Sequence, residues 1–595
     1  MEEGIRGCAH KLLHVVISNA PRAFGAKDEA RMPYGRGLEF TAGPKKSWEE
    51  SMEMDRRSFV SGAAGLGALA AMAGLVGCGS PSKASDKSKD ADAANSKSYL
   101  NPGDYTVGET KDYEVVIVGA GGAGMCSAVR ASELGLKAVL LEQHPRTGGT
   151  SEYTEGLFAI NSHIQKENGK NPPDLGYDLF TAAMDYHHWY ANGQLFRSYI
   201  DASGDNIAWL EDSCGVVFQG TGSMCGNEYN TWHQYKYNPG EVSGAPYVAS
   251  LTAAVEASST DLVCSSKAID LVMENGKVVG IVAKEGSNYV QYNASKGVVL
   301  CTGGYADNPD MIHEFGKNPD RILAMGAGDR DGFGINACRE AGATLAPGPG
   351  CIVPYGGTIP GVAYGTHLYC ATAFQPYFWI NENCERFVNE YYAERNFSWS
   401  GDAQSMQDRV ISILTQEQLD RMHEQGGTFG CGEYVHAGVP LTDLWDEFKQ
   451  LKDGGNSAVH GPMATVADMA EELGLDADKL QKSIDTYNGY VDAGVDPEFG
   501  KAAEYLEPSR MNDGPWYAFE LQVGIFTTVG GIKINNKAQV LAEDGTVIPN
   551  LYACGCDAGG IYGDAYDVSI CEGSCQGFAV YTGKLAAETI AELNA

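Results

Sequence analysis

The run Gly119-Ala120-Gly121-Gly122-Ala123-Gly124 follows directly on an apolar stretch, Glu114-Val115-Val116-Ile117-Val118. Glycines at this spacing let a backbone come against a pyrophosphate, whose charge then sits at the N-terminus of the next helix. That helix is expected to reach Glu133, and a second strand is expected from Lys137 to Leu141. Glu142 closes the strand, where a carboxylate can hold a ribose hydroxyl. Strand, turn, helix, strand and acid in that order make a complete dinucleotide fingerprint, with Gly119, Gly121, Gly122, Ala123, Gly124 and Glu142 as its binding residues.

The elements around this site must come from a large chain. Its 595 residues exceed one domain, and 43% hydrophobic with 20% charged residues is a globular composition. The 75 glycines fit many tight turns and close backbone approaches. A formal charge of −34 repels nucleic acid, which excludes that class of partner. The 16 cysteines are scattered, and several, such as Cys126 and Cys301, sit in apolar runs as buried thiols do. Cys554-x-Cys556 and Cys571-x3-Cys575 are the close pairs; neither has zinc or iron–sulfur spacing, and no CxxCH for a c-type haem occurs, so no metal site is expected.

Three later segments narrow the dinucleotide. Arg146-Thr147-Gly148-Gly149-Thr150-Ser151 follows the ribose acid; Gly297-Val298-Val299-Leu300-Cys301-Thr302-Gly303-Gly304-Tyr305 lies further on; and Asn550-Leu551-Tyr552-Ala553-Cys554-Gly555-Cys556 precedes Gly559-Gly560 and a helix expected from about Gly573 to Leu593. Together these resemble the fumarate reductase and succinate dehydrogenase flavoprotein superfamily over roughly residues 110–595. The resemblance implies noncovalent FAD, with Gly148, Gly149, Thr150 and Ser151 around the ribityl and pyrophosphate and the Thr302-Gly303 turn closing beneath. It implies an α/β fold, a Rossmann-like FAD-binding domain with an inserted α+β capping domain. Cys556 departs from the family, which often carries Glu there, so one polar contact to the cofactor must be made differently.

About 200 residues separate the second and third cofactor segments, far more than a connection needs. The expected division is FAD-binding at 109–349 and 521–595, with the cap at 350–520. Arg386-Phe387-Val388-Asn389-Glu390 resembles the family's RFxNE, after which fumarate-type reductases place a proton-donating arginine. Arg395 stands one position later than expected for it, and Tyr391 or Tyr392 is the alternative acid. The family's dicarboxylate clamp is missing: the matching stretches read Phe526-Thr527-Thr528-Val529-Gly530-Gly531 and Gly563-Asp564-Ala565-Tyr566, with no His after His460 and no Arg after Arg510. Gly563 to Tyr566 resembles instead the GxAY of ketosteroid dehydrogenases, which implies Tyr566 as hydrogen-bond donor to a substrate carbonyl.

The expected activity is therefore reduction of an activated C=C bond in an enone or aromatic enoate, by hydride from reduced FAD. Electrons would come from an external donor, a cytochrome or quinol-linked partner. A ketosteroid-type dehydrogenase running the reverse reaction and a non-catalytic flavin carrier are the competing readings. At the N-terminus, Arg56-Arg57 and the apolar stretch Gly62 to Gly77 resemble a twin-arginine signal, and Leu75-Val76-Gly77-Cys78 resembles a lipobox. These give a signal at 52–78 after an unstructured or non-native start at 1–51, a flexible tether at 79–108, and an extracytoplasmic lipoprotein anchored through Cys78.

Overall fold

The computed structural model describes Leu100 and residues 105–594, apart from 224, 227–228, 239–241, 348–351 and 564. The expected signal, Cys78, nearly all of the tether and Asp564 lie outside them. β1 (Glu109–Val118) ends in four consecutive buried residues, Val115 to Val118. A strand apolar on both faces belongs inside a parallel sheet covered on both sides. Its chain then turns through the glycines into α1 (Gly122–Glu133) and returns as β2 (Ala138–Leu141), buried throughout. Val116 pairs in parallel with Val139 of β2 and with Val298 of β3 (Asn288–Leu300) on the other side.

A second sheet is built on β4 (Trp516–Thr528), which runs antiparallel to Val410–Thr415, Val459–Met463 and Ile352–Thr358 and parallel to Ile322–Ala324. The expected cap span of 350–520 thus lies within a layer whose strands run from Ile322 to Thr528. This layer has an apolar core of its own, in which Phe378, Ile411, Leu480, Ile484 and Trp516 pack together. Arg386 and Glu390 tie it internally: the buried guanidinium binds Glu390 at 2.8 Å and Asp496 at 3.0 Å, and Lys501 reaches Glu390 at 2.9 Å. Opposite charges held this close are what keep such buried groups from destabilising the interior.

β4 ends at Thr528 and hands the chain back to the first sheet, where β5 (Val547–Ala553) lies parallel to β3. The order across that sheet is Gln539–Leu541, β5, β3, β1, β2, Asp261–Val263. α2 (Ser574–Leu593) follows and covers α1 so closely that a Cβ at Gly583 would strike the Ala123 carbonyl. The C-terminal ends of β1, β2, β3 and β5 therefore meet the N-termini of α1 and α2. In an open α/β sheet that is where a ligand crevice forms. Among the described residues no helix is long and apolar enough to cross a membrane.

Candidate active site

A cleft of about 1760 Å³, its open mouth included, runs across these strand ends. Gly119, Gly121, Gly122, Ala123, Glu142, Gly149, Thr150, Ser151, Thr302, Gly303 and Cys556 all line it. Gly124 and Gly148 do not, and their contribution is to the backbone: a Cβ at Gly124 would run into the Gly119 carbonyl, and the Gly148 amide donates to the Ala120 carbonyl at 2.9 Å. Gly119 has φ +97°, and a Cβ there would meet the Cys301 carbonyl. Bare backbone at the head of α1 is what a pyrophosphate needs. Glu142 is buried and already accepts the amides of Ala120 and His144, both at 2.8 Å, which fixes its carboxylate at the cleft wall.

The opposite wall depends on residues that the sequence reading missed. Asp557, fully buried, accepts the Thr302 amide at 2.5 Å, the Thr302 hydroxyl at 2.9 Å and the Gly304 amide at 3.1 Å. It thereby holds the Thr302–Gly304 turn open along the cleft. Burial still pushes its carboxyl up to about 6. Arg330 bonds Asp307 at 2.7 Å, the Met325 carbonyl at 2.8 Å and the Phe526 carbonyl, and so joins the cofactor side to the end of β4.

Beyond the dinucleotide cradle the lining turns aromatic, with Tyr153, Trp232, Tyr364, Phe397, Phe526 and Tyr566. Tyr364 meets Phe526 edge to face at 5.0 Å, and Phe397 stacks over Tyr566 at 6.3 Å. Among the described residues the basic side chains of the lining each lie by a carboxylate: Arg330 by Asp307, Lys267 by Asp331 at 2.8 Å, and His144 by Asp329 at 3.8 Å. None of them is left over to clamp an anionic substrate.

Tyr566 is held from behind. Ser574 and Cys575, in the first turn of α2, lie against its phenol, and burial holds that phenol protonated, far above its ordinary pKa. Ser574 in turn donates to Asp567 at 2.5 Å and meets the Tyr562 hydroxyl at 2.8 Å. His187 accepts the Gly563 amide on Nδ1 at 3.1 Å, leaving Nε2 to face Asp567 at 3.5 Å. His187, Asp567 and Ser574 are all fully buried, and no spacing in the sequence points to their meeting.

Arg395 lies elsewhere. It ends the short helix Tyr392–Arg395, its Nε is 3.4 Å from Glu394, and its guanidinium faces Gly226. Tyr391 packs on Tyr505 at 4.9 Å and Tyr392 on Trp399 at 5.6 Å. Of the four expected catalytic residues, the structure brings only Tyr566 into the cleft lining.

Glu155 also lines the cleft, and its carboxyl is enclosed by the loop at Gly432 and Glu433, whose amide it accepts at 3.1 Å. Burial pushes it from 4.5 up to about 8, and the nearby Glu433 adds repulsion. A carboxyl that holds its proton more tightly folded than unfolded contributes stability in full below about pH 4.5, and that contribution is lost as pH rises to about 8. Glu155→Gln, neutral throughout, is expected to flatten this decline, so its Tm should gain on the unmodified protein between about pH 5 and about pH 8. Parallel Tm curves for the two proteins would contradict the assignment.

Similarity to known proteins bears on the family and the fold. The profile of a family described as FAD binding domain matches residues 114–569. A vinyl phenol reductase of Lactiplantibacillus plantarum is 35% identical, over 80% of this chain and 96% of that protein. A urocanate reductase of Eggerthella lenta is 28% identical, over 76% of this chain and 71% of that protein. The open conformation of a flavocytochrome c3 fumarate reductase superposes with TM-score 0.60 at 23% identity, over 82% of this chain and 79% of that one.

Proposed function

The chain belongs to the FAD binding domain family of flavin-dependent oxidoreductases acting on C=C bonds, and from that premise we propose that it reduces the side-chain double bond of a phenolic or otherwise aromatic substrate. The observation that carries the reading is the aromatic half of the cleft, where Tyr566 presents a neutral phenol and, among the described residues of the lining, no unmatched cation stands. The 35% identical relative is named for a vinyl phenol, a substrate of this shape and charge. FAD fits the cradle: the glycines at the head of α1, Glu142, and the Thr302–Gly304 turn braced by Asp557 are the residues that hold it. The chemistry available from bound FAD is the delivery of a hydride equivalent to carbon.

The chain's own residues do the rest. Tyr153, Trp232, Tyr364 and Phe526 hold the ring and exclude water. Tyr566 donates a hydrogen bond to the substrate oxygen conjugated with the double bond, where negative charge grows during reduction. The proton for the second carbon comes in this proposal from Arg395 or a neighbouring tyrosine, Tyr391 or Tyr392, none of which lines the cleft as it stands. Anaerobic turnover with a reduced viologen tests the reading across vinyl phenols, cinnamates, enone steroids and dicarboxylates. Fumarate should show kcat/KM at least about 10²-fold below the best aromatic substrate, since it forgoes two charge-assisted contacts worth about 1.5–3 kcal/mol each. Efficient fumarate turnover at micromolar concentration would overturn it.

We place the protein outside the cytoplasm, anchored by lipid on Cys78 and supplied by a membrane-linked cytochrome or quinol-dependent donor. Arg56-Arg57 and the Leu75 to Cys78 sequence support this. Cys78→Ala should move the protein from the membrane to the soluble fraction; retention at the membrane would remove the anchor from the account.

A further inference from the structure

Cys556 and Cys575 face each other across the wall of the cleft, Sγ to Sγ at 3.9 Å. They come from different elements, Cys556 three residues beyond β5 and Cys575 in the first turn of α2. Both are partly exposed, unlike Cys301 and Cys554, which are buried, with the Cys554 thiol turned to the Thr582 carbonyl at 3.3 Å. The surroundings make the two partners unequal. The Cys575 thiol and the Thr527 hydroxyl, the latter at 3.0 Å, both stabilise a Cys556 thiolate, and the Arg330 guanidinium adds to their effect. Its thiol is pushed below the ordinary value, whereas the Cys556 sulfur and burial push Cys575 well above it.

We propose that Cys556 and Cys575 form a redox-active dithiol site in the cleft wall, with Cys556 as nucleophile, Cys575 as resolving thiol and a low-molecular-weight disulfide as oxidant. The Cys556 thiolate attacks one sulfur of that disulfide, forming a mixed disulfide and releasing one thiolate. Cys575, losing its proton, then attacks the Cys556 sulfur, the Cys556–Cys575 bond forms, and the second thiolate leaves. The protein gives up two electrons and two protons, and the small disulfide becomes two thiols. Closing from 3.9 Å to the ~2.05 Å of a disulfide asks for side-chain rotation and draws Cys556 off the Thr527 hydroxyl.

The test uses the full-length protein, reduced, freed of reductant without air, and exposed to oxidised glutathione both with saturating FAD and after FAD removal. Samples are quenched in acid, alkylated, digested and weighed. The expected product, in at least one of the two samples, is a peptide pair joined through Cys556 and Cys575, two hydrogens lighter and separated again by dithiothreitol, with Cys301 and Cys554 recovered as alkylated thiols. In Cys575→Ser the glutathionyl group should stay on Cys556, because nothing resolves it. In Cys556→Ser the modification of Cys575 should be about tenfold slower or more, since the thiolate that opens the exchange is gone and burial still raises the remaining thiol. Recovery of Cys556 and Cys575 as free thiols in both samples would overturn the proposal, as would adducts in Cys575→Ser that fall equally on Cys225 and Cys264.

Discussion

Tyr566→Phe is expected to lower kcat and kcat/KM together by about 10²–10³, with FAD still bound. The ring is packed between Phe397 and Tyr562, and the backbone is fixed separately, by the Ser398 hydroxyl on the Tyr566 amide at 3.0 Å and by the Tyr186 phenol on its carbonyl at 2.9 Å. Phenylalanine keeps all of these contacts and removes only the hydroxyl. A donor that acts where charge develops is lost from the transition state, so both kinetic constants fall alike. A donor that merely positions the ground state would raise KM instead. Steady-state kinetics with flavin content measured on the same sample separate the two. Near-normal turnover in a fully loaded variant would return Tyr566 to a packing role.

The second large effect is expected at Asp557, whose replacement by alanine should leave the protein without its yellow cofactor. Its carboxylate is the acceptor for the amides of Thr302 and Gly304, and Thr302 passes the restraint on by accepting the Gly334 amide at 3.1 Å. Two buried amides left without an acceptor cost about 1–3 kcal/mol each, a large share of the roughly 5–15 kcal/mol that holds a domain folded. The strain falls on the Thr302–Gly304 turn, which is cleft wall, so cofactor affinity should fall with stability. Asp557→Asn keeps one acceptor and should lie between the two. The ratio of flavin to protein after gel filtration, read beside the urea midpoint, measures both; stoichiometric FAD at an unchanged midpoint in Asp557→Ala would contradict the bracing role.

Why the cradle is legible in the sequence and its brace is not follows from distance along the chain. The glycines from Gly119 to Gly124 and Glu142 lie within one strand–helix–strand unit, where spacing alone dictates what meets a pyrophosphate. Asp557 meets Thr302 across 255 positions, and His187 meets Asp567 across 380; no local period carries such pairs. The cysteines show the same limit. Neighbours in sequence, Cys554 with Cys556 and Cys571 with Cys575, are the evident pairs on paper, but the fold sets Cys556 beside Cys575, Sγ to Sγ at 3.9 Å. Tyr566 was reachable through resemblance because it directly follows the Gly563-Asp564-Ala565 run it belongs to. The position of Arg395 depends on how the short helix Tyr392–Arg395 leaves the cap, which the motif at Arg386 to Glu390 does not specify, since that motif is spent on a buried ion network.

The aromatic cleft beside bound FAD is, in this proposal, where a conjugated aromatic side chain is reduced. Single-turnover mixing of the anaerobically reduced holoprotein with a vinyl phenol tests this most directly, following flavin reoxidation and saturated product together. One ethyl phenol should form per flavin reoxidised, with the rate falling about 10²–10³ in Tyr566→Phe. Flavin that stays reduced in the presence of vinyl phenols, cinnamates and enones, yet reoxidises rapidly with fumarate, would contradict it.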